Sequence, residues 1–131
     1  MLAKISAADY MSTNIITVTP GTEISQAIKK LLDHKITSMP VLDERGKLVG
    51  IFSEKDGIKV VMETAYNQSM DGTVGEIMNR EPVMIDADSS LVDVAAKFDE
   101  TPIRGFPVFQ NGELVGMISR VDVLRALLSL R

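Results

Sequence analysis

Apolar positions along this chain recur with two periods, and the two alternate in the same order twice. A β-branched stretch, Ile15 to Val18, is followed by Ile24, Ala27, Ile28, Leu31 and Leu32 at helical spacing, then by Met39 to Leu42, the polar turn DERG and the apolar run LVGIF. The pattern predicts strand, helix and a strand hairpin. A closing helix is predicted from just after Ser53 to about Tyr66. The series then returns: Val83 to Ile85, a helix on Leu91, Val94, Ala95 and Phe98, a strand Phe106 to Phe109, the turn QNG, the run LVGMI, and a helix after Ser119 carrying Val123, Leu124, Leu127 and Leu128. Thr22 and Asp88 stand where N-caps are expected. Ser6 to Asp9 and Thr73 to Glu76 have the hydroxyl-x-x-acid form of a capping box, which predicts a further short helix before each copy.

Laid over itself at an offset of about 67 residues, the chain matches in position as well as in pattern. Met11 lies over Met78, Pro40-Val41 over Pro107-Val108, Gly46 over Gly112, Leu48-Val49-Gly50 over Leu114-Val115-Gly116, and Ser53 and Asp56 over Ser119 and Asp122. Two β-α-β-β-α repeats follow, at residues 8–66 and 74–130, joined by the polar, Gly-containing segment 67–73. A repeat of this size buries too little apolar surface to stand comfortably alone, so the two are expected to pack together.

Composition narrows the chemistry. The chain has 131 residues, no cysteine and one histidine, His34. Disulfides, thiolate zinc sites and cysteine nucleophiles are thereby excluded, and a multi-histidine metal site within one chain with them. We expect no metal and no catalytic residues. His34, at the end of a helix, reads as a surface or C-terminal histidine. A net charge of −4 without a Lys/Arg run argues against nucleic acid. No apolar run reaches the roughly 20 residues of a membrane span, and no secretory signal is seen, so a cytoplasmic location without membrane attachment is expected.

The repeated LVGhhSxxD segment is where chemistry concentrates. Ser-x-x-Asp is a capping pattern, and met once it reads best as a cap. Its recurrence at one place in two repeats, each time after a glycine and an apolar strand, favours a ligand role in addition. An ionised carboxylate accepts well from the cis-diol of a ribose. The start of the following helix favours phosphate. Gly50 and Gly116 either let a ligand approach the backbone or mark bulges and close strand packing. Met39 and Phe106 fit a core as well as they fit a base pocket.

Two tandem β-α-β-β-α units, each with h-P-V, a turn glycine and L-V-G-h-h-S-x-x-D, resemble a pair of CBS (cystathionine β-synthase) domains, the Bateman module, over nearly the whole chain. The resemblance implies an α/β fold of tandem CBS repeats whose small mixed sheets pack together as a pseudo-two-fold CBS pair. It also implies a non-catalytic regulatory module binding adenosine ligands in the cleft between the repeats: AMP, ADP or ATP, less often S-adenosylmethionine or NAD, with no required cofactor. By the same resemblance Ser53 and Asp56, and Ser119 and Asp122, would hold ribose and phosphate. The base would lie along Ile16, Thr17, Ser38, Met39 and Pro40 in one copy and Val83, Met84, Gly105, Phe106 and Pro107 in the other. Lys55, Arg104 and Arg120 would meet phosphates. Where the first copy has Thr37 and Met39, the second offers the Arg104 guanidinium for phosphate and the Phe106 ring for a base, and Glu54 beside the first serine opposes phosphate there, so if only one site is occupied the second is expected to be it. A homodimer, or an unidentified protein partner, would receive the signal. The competing reading is an interaction or structural module with vestigial sites. An enzyme is disfavoured, because no Gly-rich phosphate loop with lysine and no nucleophile–base pair is present.

Overall fold

The computed structural model describes residues 2–67 and 71–130. After a 3-10 turn at Leu2–Lys4 come α1 (Ala7–Tyr10), α2 (Ile24–His34), β1 (Ser38–Leu42), β2 (Leu48–Ser53), α3 (Glu54–Asn67), α4 (Val74–Ile77), β3 (Ile85–Asp86), α5 (Leu91–Glu100), β4 (Gly105–Gln110), β5 (Glu113–Ser119) and α6 (Arg120–Leu128). Both expected capping boxes form, at Ser6/Asp9 and Thr73/Glu76. Of the expected connecting segment, Asn67 ends α3, residues 68–70 lie outside the described residues, and Asp71 to Thr73 lead into α4.

The chain divides into two compact units, Ile16–Pro82 and a second made of the segment up to Ile15 with Val83 onward. Repeat and unit are therefore cut differently. The short helix that precedes the first repeat, α1, belongs to the unit of the second, and α4 belongs to the unit of the first.

In the Ile16–Pro82 unit β1 and β2 form an antiparallel hairpin, Ser38 opposite Ser53 and Val41 opposite Gly50, with a register shift between Val41 and Leu42. Asp43 organises the turn, its Oδ1 accepting from the N–H of Arg45 and of Lys47, while Gly46 takes φ 78°. Met39, Val41 and Phe52 are buried with Val18, Ala27, Leu31, Val74 and Met78. In the other unit β4 pairs antiparallel with β5, Gly105 opposite Ser119, and parallel with β3. Asn111 and Gly112 both take positive φ, the conformation a two-residue hairpin favours. Phe106, Val108 and Ile118 pack with Ile85, Leu91, Val94, Phe98 and, from α1, Ala7.

The expected first strands are cut short, and proline explains it. Val18 forms a single parallel bridge to Val41, donating to the Pro40 carbonyl at 3.2 Å and accepting from Leu42 N–H at 2.9 Å. Continued backwards, the parallel ladder would need an N–H from residue 40 to reach the Ile16 carbonyl. Pro40 has none. In the other unit β3 likewise begins at Ile85, opposite Val108, because Pro107 offers no N–H to Val83.

Three local expectations need correction. The N-cap of α2 is Glu23 rather than Thr22, whose hydroxyl instead accepts from Thr19 N–H in the preceding turn. The N-cap of α5 is Ser90, accepting from Asp93 N–H, while Asp88 lies in the turn after β3 with its N–H on Asp86. Leu32 and Ala95, expected on buried helix faces, are exposed, because each lies one step beyond a stripe already completed by Leu31 or Val94.

Gly50 and Gly116 serve close packing. A Cβ at Gly50 would sit 2.7 Å from Met78 Sδ and 2.8 Å from the Asn79 carbonyl, and one at Gly116 would meet Met11 Sδ and the Ser12 carbonyl at the same distances. Beside each glycine a two-way backbone bridge closes the contact, Ile51 with Asn79 and Met117 with Ser12. Because a carbonyl cannot swing aside as a side chain can, Gly50→Ala and Gly116→Ala should each cost about 1–3 kcal/mol. Urea unfolding followed by circular dichroism measures this, and unchanged midpoints would contradict the close approach.

Candidate functional site

Each Ser-x-x-Asp lies where a strand runs directly into a helix: Ser53 ends β2 and Ser119 ends β5. Asp56 Oδ2 accepts from Ser53 N–H at 2.8 Å and from Ser53 Oγ at 3.1 Å. Asp122 Oδ2 accepts from Ser119 N–H at 2.8 Å and from Ser119 Oγ at 3.0 Å. Both motifs thus make the local contact that sequence spacing predicts, and that contact engages one carboxylate oxygen only. The other oxygen differs between copies. Asp122 Oδ1 is paired with Arg125 at 2.9 Å, whereas among the described residues no hydrogen bond or ion pair reaches Asp56 Oδ1.

Strand register brings further expected site residues to these motifs. Ser38 is opposite Ser53, and Gly105 is opposite Ser119. Glu54 N–H donates to the Thr37 carbonyl at 2.9 Å, and Arg120 N–H to the Arg104 carbonyl at 3.1 Å, so the residue before each h-P-V strand adjoins the first residue of the helix. Lys55 follows on the exposed first turn of α3. Arg120 also reaches the Thr101 carbonyl through its guanidinium at 3.3 Å.

Other expected residues take different positions. The side chains of Met39, Pro40, Phe106 and Pro107 are fully buried, and the Phe106 ring stacks on Phe98 with centroids 4.2 Å apart. Of the two uses left open for Met39 and Phe106, core packing is the one their side chains show. Ile16 and Thr17 are half-buried, as is Val83, while Met84 is exposed.

Three features escaped sequence reasoning. Lys30, expected on a solvated face, reaches the Thr17 carbonyl at 2.8 Å, a contact thirteen residues away in sequence that no local pattern signals. Arg125 is an i,i+3 partner of Asp122, which helical spacing could have flagged. The carbonyls of Ile16 and Val83 accept no hydrogen bond among the described residues, as the proline-interrupted ladders require. Each leaves a backbone acceptor on a segment expected to line a base pocket.

The CBS domain family model matches the chain twice, over residues 7–63 and 74–129. The chain belongs to the CBS domain family. Among solved structures this CBS pair is similar to the CBS-domain protein ATU1752 from Agrobacterium tumefaciens, at 30% identity and a TM-score of 0.86, with 93% of this chain and 92% of that one covered. It is similar to the CBS domain pair of MJ0100 in complex with 5′-methylthioadenosine and S-adenosyl-L-methionine, at 31% identity and 0.84, covering 97% and 98%. It is also similar to CBSX2 in complex with AMP, at 28% identity and 0.81, covering 95% and 97%. A 17.7 kDa protein of Acidianus ambivalens is 29% identical over 98% of this chain and 75% of its own length. Several relatives are longer: the chain spans 31% of MJ1404 of Methanocaldococcus jannaschii and 59% of CBSX1 of Arabidopsis thaliana. Among the described residues no helix is long and apolar enough to cross a membrane.

Burial pushes the Asp56 carboxyl above the ordinary aspartate value, against the opposing pull of the Ser53 hydrogen bonds and of Lys59 and Lys55. The folded state therefore holds this proton more tightly than the unfolded chain does. The stabilisation from protonation is complete below the unfolded value and is lost as pH rises through the folded one. At neutral pH the charge at Asp56 opposes folding, so Asp56→Asn should equal or exceed the parent in stability at pH 7, an advantage that shrinks towards pH 4. Asp122→Asn, which gives up the Arg125 pair, should lose up to about 1 kcal/mol at pH 7. Urea midpoints at the two pH values report both; a marked loss for Asp56→Asn at pH 7 would show that its charge is a structural asset.

Proposed function

We propose that this CBS pair is a non-catalytic regulatory module that binds adenosine-bearing ligands through its two Ser-x-x-Asp motifs and signals occupancy through contacts with a second copy or a protein partner. The observation that carries the reading is the pair of carboxylates, each held by its own serine through one oxygen at the start of a helix. Asp56 is thereby pre-set to receive a ribose diol through its second oxygen, whereas Asp122 would share or exchange its Arg125 pair to do so. That MJ0100 was solved with 5′-methylthioadenosine and S-adenosylmethionine, and CBSX2 with AMP, supports adenosine as the common element.

The acceptors at Ile16 and Val83 favour the same base. A carbonyl pairs with the exocyclic amine of adenine, whereas guanine presents another carbonyl at the equivalent position. Ser38, Thr17, Met84 and Gly105 adjoin those segments, and Lys55, Arg104 and Arg120 supply charge for a phosphate. Met39, Pro40, Phe106 and Pro107 act from behind, by fixing the strands.

Two exposed apolar stripes favour an output through contact. Ile58, Val61 and Met62 on α3, and Val121, Leu124, Leu127 and Leu128 on α6, are large side chains left uncovered in their own units. Self-association into a homodimer would bury them, and the alternative reading, an interaction module with vestigial nucleotide sites, would use the same stripes.

Isothermal titration with AMP, ADP, ATP, NAD and S-adenosylmethionine separates the readings. Saturable binding should occur with at least one of them and disappear in Asp56→Ala/Asp122→Ala, with GMP weaker than AMP by on the order of tenfold. Silence with every ligand would leave the interaction module standing. The proline argument has its own check. Pro40→Val supplies the missing N–H, which can claim the Ile16 carbonyl, so binding at that site should weaken several-fold while the hairpin persists.

A further inference from the structure

Resting on the reading of the Ser53–Asp56 motif as a nucleoside site, we propose that Lys30 is a positioning residue for that site: its ammonium group, reaching from α2, fixes the segment 16–18 whose Ile16 carbonyl would take the base. The segment has little else to hold it. A single bridge joins it to β1, Val18 donating to the Pro40 carbonyl at 3.2 Å and accepting from Leu42 N–H at 2.9 Å. Pro40, without an N–H, ends the ladder on the Ile16 side. A second proline ends it on the other. At the matching place in the second unit Ala87 N–H donates to the Phe109 carbonyl at 2.8 Å and β3 pairs over two residues, Ile85 and Asp86, whereas Pro20 has no N–H to offer the Leu42 carbonyl.

Lys30 supplies what the ladder lacks. Its Nζ donates to the Thr17 carbonyl at 2.8 Å. That carbonyl belongs to the same planar peptide as the Val18 N–H, so one rigid unit is held at both ends, its N–H bonded to Pro40 and its C=O to Lys30. Only the two backbone dihedrals of Thr17 separate this plane from the Ile16 carbonyl, so fixing the plane restricts where that acceptor points. The second repeat provides the comparison. Lys97 stands on α5 at the position of Lys30, and Met84 at that of Thr17, yet among the described residues no hydrogen bond or ion pair reaches Lys97. There the longer ladder of β3 does what the ammonium group does in the first unit. Because Lys30 is exposed and lies outside the apolar core, its removal acts on the segment rather than on the fold.

The test uses adenosine and guanosine as probes. Neither carries a phosphate, so the loss of a positive charge has no anion to act on. Lys30→Met keeps the aliphatic stem and removes the donor. In an Asp122→Ala background, which leaves the first motif intact, Lys30→Met should weaken adenosine by on the order of fivefold and narrow its preference over guanosine, and Lys30→Arg should restore most of both. Lys97→Met should leave the adenosine affinity of an Asp56→Ala chain unchanged. Amide exchange followed by NMR reads the tether without ligand: Val18 N–H should exchange several-fold faster in Lys30→Met, while Ala87 N–H exchange and the urea midpoint stay at their parent values. Unaltered Val18 exchange, an adenosine affinity and base preference indifferent to Lys30→Met, or an equal loss from Lys97→Met overturns the positioning role and leaves the nucleoside site in place. If the Asp122→Ala chain binds no adenosine, the nucleoside reading of the first motif fails and the positioning role falls with it, even where the Val18 amide confirms the tether.

Discussion

Everything at the candidate sites depends on how closely the backbone is packed behind Gly50 and Gly116. At each glycine a methionine sulfur and a main-chain carbonyl occupy the space a Cβ would need, and a two-way backbone bridge locks the neighbouring residue. The segment doing this comes from outside the β-α-β-β stretch it closes: Met11-Ser12 for the second hairpin, Met78-Asn79 for the first. The chain must therefore cross between units at Ile15/Ile16 and again at Pro82/Val83. This anchoring fixes the strand that ends in each serine, and through it the start of the helix carrying the aspartate. A glycine that sequence alone could assign to ligand approach thus serves the site indirectly, by holding its strand in place.

Proline imposes the second constraint. Pro40 and Pro107 sit in strands with other strands beside them, where a missing N–H is normally a defect. The bridge at Val18 and the strand at Ile85 begin only beyond the proline's reach, so one carbonyl per unit is left without a ladder partner. The defect coincides with the segment placed at the ligand by family resemblance. In the proposed reading, sheet stability is given up where a polar ligand would restore it, a common arrangement for functional backbone.

Much of the fold was legible because it is written in local periods. The hairpins, the closing helices and the capping boxes at Ser6 and Thr73 follow from alternation, turn glycines and hydroxyl-x-x-acid spacing. The failures share a cause as well. The first strands are short because of prolines some 25 residues away in sequence, and α1 and α4 find their packing partners in the other repeat. Neither fact has a local signature. The caps of α2 and α5 were misplaced by one and two residues because Thr22 and Asp88 bond to their own turns, a competition that residue type alone does not resolve. At the site, Ser53, Asp56, Ser119 and Asp122 were readable as a repeated motif, whereas the roles of Met39 and Phe106 required knowing which face of the strand is buried.

The same helices that begin at the two serines carry the exposed apolar stripes, so the proposed reading joins ligand to output through a single element. In α3 the aspartate at the first turn is followed by Ile58, Val61 and Met62 on uncovered surface; in α6 the corresponding residues are Leu124, Leu127 and Leu128. In the proposed reading a ligand that draws Asp56 or Asp122 towards a ribose would act on the first turn of the helix that carries the stripe. Occupancy alone changes nothing unless one arrangement of the stripes binds ligand better than another. The two copies are unequally prepared for such a bias. In the proposed reading a ligand at Asp122 would have to share or displace Arg125, which lies one turn along the same helix. Among the described residues Asp56 has no such partner. Burial raises the carboxyl's pKa, so its charge costs stability at neutral pH, a cost that a ligand group would offset in the proposed reading.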